Sequence, residues 1–121
     1  MVQGFYKLEF HSTSDYGHGV VILENGLVRG GDASYYYTGE YALKSQELVV
    51  ELSSIHYAGA LNNILGAIER SDFRLTGIAD RQQMVLKGTD KNGQGDVVVN
   101  LTRIADITRH EAFESLVENK S

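Results

Sequence analysis

The chain has 121 residues, which suits one domain and is long enough to bury a core without covalent staples. Hydrophobic residues make up 42% and charged residues 22%, the balance of a folded globular protein rather than a disordered one. There is no cysteine, which excludes disulfides, thiolate nucleophiles and cysteine-ligated metal centres, and the formal charge of −5 with only 11 Lys+Arg disfavours nucleic-acid backbones and suits a basic partner.

Residues 1–10 have neither the basic-then-apolar order of a signal peptide nor the character of a transit peptide. No apolar run approaches the roughly 18 residues of a membrane helix, so the expectation is a cytoplasmic protein with no membrane partner. Proline is absent and no internal repeat is visible.

Residues 4–11 alternate, with Tyr6, Leu8 and Phe10 on one side and Lys7, Glu9 and His11 on the other, the pattern of a half-buried strand. A second strand is predicted over 17–23, followed by the Asn25-Gly26 turn signal and a short third strand over 27–29. Gly30-Gly31-Asp32 then opens a fourth strand, in which Tyr35, Tyr37, Gly39 and Tyr41 share one face. The Gly-Gly-Asp motif reads as structural, with glycines for positive φ and the aspartate hydrogen-bonding the turn backbone. After a polar turn over 44–46, residues 47–55 form a fifth strand with Leu48, Val50 and Leu52 on one face.

Residues 58–70 break the pattern. Leu61, Ile64, Leu65 and Ile68 recur at spacings of three and four, which predicts a short amphipathic helix ended by Ser71-Asp72. Strands follow over 73–78, 83–89 and 96–104, the last two joined by a glycine-rich loop over 90–95. One domain over 1–107 is expected, with 108–121 a tail or a short helix through Phe113, Leu116 and Val117. Eight short strands with tight turns predict a mainly β fold: a small antiparallel meander barrel, in which closure hides the sheet edges and glycines at 17, 19, 39, 77 and 88 allow the sheet to bend. An open sheet packed on the helix is the alternative.

Few motifs carry chemistry. Gly17-His18-Gly19 lacks the third glycine of a dinucleotide fingerprint and the surrounding βαβ unit. The stretch from Asp90 to Asp96 resembles a calcium loop for four residues, but Leu101 stands where the bidentate glutamate is required. His11 and His18 flank one loop and would need Asp15 or Glu9 to complete a metal site, a spacing that fits no common ligand pattern. His56 and His110 complete the set of histidines. No Gly-x-Ser-x-Gly elbow is present. The expectation is therefore a protein that is not an enzyme and carries no metal or cofactor. Tyr35, Tyr36, Tyr37, Tyr41 and Tyr57 read as a mixture of core and interface residues. Asn100-Leu101-Thr102 spells a glycosylation acceptor that falls within a predicted strand.

Taken together, Gly4-Phe5-Tyr6-Lys7-Leu8-Glu9-Phe10, Gly17-His18-Gly19-Val20-Val21-Ile22, Asn25-Gly26 through Gly30-Gly31-Asp32 and Tyr37-Thr38-Gly39 resemble the GrlR-like family, named for the negative regulator of a type III secretion system in enteric pathogens. The motifs cover the first half of the chain, and the second half follows by strand layout. The resemblance implies a lipocalin-like barrel that forms a homodimer, with Gly30, Gly31, Asp32, Tyr37 and Gly39 as its structural motif. It also implies sequestration of a transcription activator through an exposed acidic cluster. The matching positions here are Lys44, Ser45, Gln46 and Glu47, of which only Glu47 keeps the acid. The alternative function is a carrier of a small apolar ligand inside the barrel, lined by Tyr6, Leu8, Phe10, Tyr37, Tyr41, Phe73 and Leu75.

Overall fold

In a computed structural model the described residues are 2–12, 16–59, 69–91 and 95–108. They form eight antiparallel strands: β1 (Gly4–His11), β2 (Tyr16–Glu24), β3 (Leu27–Gly31), β4 (Tyr35–Lys44), β5 (Glu47–His56), β6 (Arg70–Ile78), β7 (Gln83–Asp90) and β8 (Asp96–Ala105). Each pairs with its neighbours in sequence, and β1 pairs with β8, so the sheet is a closed barrel with no free edge. Closure excludes the open-sheet alternative. No helix occurs among the described residues, and the helix expected over 58–70 falls mostly on 60–68, outside them. The tail or helix expected over 108–121 lies outside them as well, save for its first residue.

Several boundaries differ from the sequence expectation. Ser71 and Asp72 do not end a segment; they lie within β6, where Ser53 pairs with Asp72 and Ser54 with Ser71. Asp72 faces outward, and hydrogen bonds from Ser53 (2.5 Å) and Arg70 hold its carboxyl below the usual carboxylate range. Tertiary pairing thus overrides the polar character of these residues. Lys44 belongs to β4 and Asp90 to β7 for the same reason.

Because the connections alternate in direction, the β1–β2, β3–β4, β5–β6 and β7–β8 links share one end, called upper here. The β2–β3, β4–β5 and β6–β7 links share the lower end. Side-chain alternation sends one parity of every strand inward. Leu8, Val21, Leu23, Val50, Leu52, Leu75, Leu86, Val99 and Leu101 fill the middle, each at most 3% exposed. The void remaining among them is about 10 Å³, roughly one water at most. Where the sheet curls most tightly, a neighbouring strand stands where a side chain would begin. A Cβ on Gly39 would lie 1.9 Å from the Glu51 carbonyl oxygen, and one on Gly88 would lie 1.8 Å from that of Arg74.

A single side chain plugs the lower end. Arg103 occupies an inward position of β8, and its side chain is only 6% exposed. Its Nε donates to the Arg81 carbonyl (2.5 Å), Nη1 to Asp106 (2.8 Å), and Nη2 to the Gln3 carbonyl (2.8 Å) and the Tyr6 hydroxyl (2.9 Å). The guanidinium also lies 5.0 Å from the centroid of the Tyr6 ring. The Tyr6 hydroxyl in turn donates to the Val2 carbonyl (2.6 Å). The buried charge is satisfied by donors used in nearly every direction the fork offers.

Two stability predictions follow from this geometry. Arg103→Met should lower unfolding free energy by roughly 2–3 kcal/mol, because carbonyls and a phenol lose charged donors at once; a urea titration measures it. Ser45, with φ of 61°, sits in the left-handed region at the β4–β5 turn. Ser45→Gly should raise stability by about 0.5–1 kcal/mol, visible as a higher urea midpoint with an unchanged slope.

Candidate functional site

The upper end is organised by Asp32. Its Oδ1 accepts from the backbone N–H of Ser34 (2.9 Å) and Tyr35 (2.8 Å), while the Asp32 N–H donates to the Tyr35 carbonyl (2.9 Å). This Asx turn brings the chain sharply from β3 into β4. Tyr37 then points inward and reaches back, its hydroxyl donating to Asp32 Oδ2 at 2.5 Å. The sequence reading of Asp32 as a turn-backbone acceptor is therefore observed. The positive φ expected at Gly30 and Gly31 is not. The reason for glycine is close approach instead: a Cβ on Gly30 would lie 2.0 Å from the Val20 carbonyl oxygen. Gly19 serves the same motif from the opposite strand, since a Cβ there would lie 2.9 Å from the Tyr37 hydroxyl.

The turn is strapped from the other side. The Tyr57 hydroxyl donates to the Asp32 carbonyl (2.8 Å), and the Tyr57 N–H donates to the Ser34 carbonyl (2.9 Å). His56 packs edge-on against Tyr35, with centroids 5.4 Å apart. Phe10 meets Tyr37 edge-to-face at 5.7 Å and lies tilted against Phe73 at 6.0 Å.

Between these elements lies a cavity of about 440 Å³, open at the upper end of the barrel. Its aromatic walls are Phe10, Tyr35, Tyr37 and Phe73, Asp32, Ser34 and Ser54 add polar groups, and Tyr16, Gly17 and His18 of β2 border its rim. The inner face at this level is polar. Ser54 is 3% exposed, Ser71 is fully buried with no hydrogen-bond partner for its Oγ, and Asp90 is 2% exposed.

Of the seven pocket-lining residues expected from the sequence, Phe10, Tyr37 and Phe73 border this cavity. Leu8 and Leu75 belong to the filled middle. Tyr6 belongs to the lower plug, and Tyr41 packs against the core without lining the cavity. Lys44, Ser45, Gln46 and Glu47 form an exposed hairpin at the lower end, with Lys44 opposite Glu47. They are thus remote from the cavity. His11 and His18 do not face each other: Tyr16 pairs with His11 and Glu9 with His18. Among the described residues no three His, Asp or Glu side chains gather as a metal site, and Asp15 lies outside them.

Sequence reasoning places none of Ser54, Ser71, Asp90 and Arg103 on the inner face. A signal was present for the first three. The inward rows Leu48-Val50-Leu52-Ser54, Ser71-Phe73-Leu75 and Met84-Leu86-Gly88-Asp90 each turn polar at the same end of the barrel.

Burial pushes the Tyr37 phenol far above its usual value of 10.0, and the hydrogen bond to the Asp32 carboxylate pushes it in the same direction. The native state therefore keeps this proton where the unfolded chain has released it. The resulting stability is complete below the usual value of 10.0 and is lost as pH rises above it. Tyr37→Phe should cost about 1–2 kcal/mol at neutral pH and flatten the alkaline fall in melting temperature. Comparison with protein-family models and with curated proteins finds no match for this chain.

Proposed function

We propose that this chain is a non-enzymatic binding protein of the GrlR-like kind: a dimeric cytoplasmic barrel that sequesters another protein, such as a transcription activator. The observation that carries the reading is the interlocking of the residues on which the resemblance rests. Gly19, Gly30, Asp32 and Tyr37 form one hydrogen-bonded, closely packed unit rather than scattered coincidences. The net charge of −5 suits a basic partner, and the DNA-binding surface of an activator is basic. The partner surface differs from the one the resemblance implies. In the Lys44–Glu47 hairpin the single acid stands opposite a lysine, so recognition by charge would fall on another face.

Crosslinking in the native cell tests the proposal. The expected product is one basic protein captured in fixed ratio to the barrel and released by competing DNA. Recovery of no specific partner under several growth conditions would overturn it. Native mass spectrometry of the purified chain is expected to give a dimer.

A second reading, a carrier of a small ligand, is favoured by the upper-end cavity, whose volume of about 440 Å³ falls in the range of small-molecule sites. The filled middle would confine such a ligand to the upper end. A reproducible small-molecule adduct that survives gentle ionisation would bring this reading forward.

A further inference from the structure

We infer that the upper-end cavity selects small planar ligands that are neutral or cationic and donate hydrogen bonds, and that it rejects carboxylates and phosphates. The inference rests on the carrier reading and adds the chemical class of ligand to it.

Charge carries the first part of the argument. Asp32 lines the cavity, and no lysine or arginine does so among the described residues. The Asp32 carboxylate accepts three hydrogen bonds, from two backbone N–H groups and the Tyr37 phenol, none of them a cation. Asp90 adds a second acidic side chain to the inner face, opposite Phe73. Cations that neighbour the inner-face residues along β6 and β7 are held on the outer face, Arg74 and Lys91 by Glu51 and Arg70 by Asp72. A carboxylate or phosphate entering here meets the Asp32 carboxyl group and no lysine or arginine among the described lining residues.

Hydrogen-bonding capacity carries the second part. The Tyr37 hydroxyl spends its proton on Asp32, so toward the cavity its oxygen can only accept. Ser54 presents a hydroxyl to the cavity from a position that is 3% exposed. Ser71, its cross-strand partner on the same inner face, has a fully buried Oγ with no partner. Buried hydroxyls are normally paired, so Ser71 extends the polar character behind the floor, while Ser54 is the hydroxyl that a ligand reaches. The aromatic walls supply stacking faces for a planar ring, and a ring with N–H or O–H groups at its edge satisfies the acceptors.

The chain contains no tryptophan, so the emission of an indole probe reports its binding without interference. Tryptamine, 3-methylindole and indole-3-acetate present the same ring with a cation, no charge and an anion. Fluorescence anisotropy with the intact protein is expected to show tryptamine and 3-methylindole bound, and indole-3-acetate weaker than tryptamine by at least about tenfold. That preference should shrink with added salt. Ser54→Leu, which fills the floor, should weaken tryptamine by about tenfold. His18→Lys, at an exposed position on the cavity rim, should narrow or reverse the discrimination against the anion with no change in melting temperature. Equal binding of all three probes, or tighter binding of the anion, would overturn the selectivity while leaving the cavity a ligand site. Tryptamine binding untouched by both variants would overturn its placement. No binding by any probe would overturn both this inference and the carrier reading.

Discussion

The pairing of β1 with β8 is the contact on which the rest of this protein depends. Once those two strands hydrogen-bond, no edge remains and inside and outside are fixed for every strand. One parity must then fill a cylinder of limited width. Large aliphatic side chains serve in the middle, and glycine is required wherever a neighbouring strand comes too near for a Cβ. The chain meets this constraint without helical packing among its described residues.

The two ends of the cylinder are finished by different chemistry. Below, Arg103 ties β8 to the segment before β1, to β1 itself and to the β6–β7 link through charged donors, which leaves little room around it. Above, Asp32 and Tyr37 form a prop at one side and leave the rest open. The inward rows reflect this division. They are apolar through the middle and turn to serine and aspartate only toward the open end. A polar floor in a cavity rimmed by aromatic rings distinguishes this barrel from one whose interior is greasy throughout.

Much of the fold was legible in the chain. The alternation of Tyr6, Leu8 and Phe10 identifies β1 with its observed ends, and Asn25-Gly26 occupies a two-residue turn in which both φ angles are positive. Other features depend on what lies across the sheet. Ser71 and Asp72 resemble a terminator until Ser53 and Ser54 are known to lie opposite them. Gly30 needs to be glycine because of Val20, and Arg103 is interior because Gln3 and Tyr6 receive it. Alternation also reports which face a residue takes but not its height along the axis. For that reason the sequence pattern groups Leu8 and Leu75 with Phe10 and Phe73, although only the latter pair reaches the cavity.

The Arg103–Gln3 hydrogen bond spans 100 positions of chain, and this has a consequence during synthesis. While β8 is still inside the ribosome, β1 has only β2 beside it and its second edge is bare. The apolar inner face cannot be enclosed until residues up to Ala105 have emerged. A barrel of this kind closes late and in one step, since contacts of such sequence separation reward the chain only after the loop-closure entropy has been met. The nascent chain therefore passes through a state with a sticky edge and an exposed interior. In the cell its fate is decided by how quickly the last strand reaches the first.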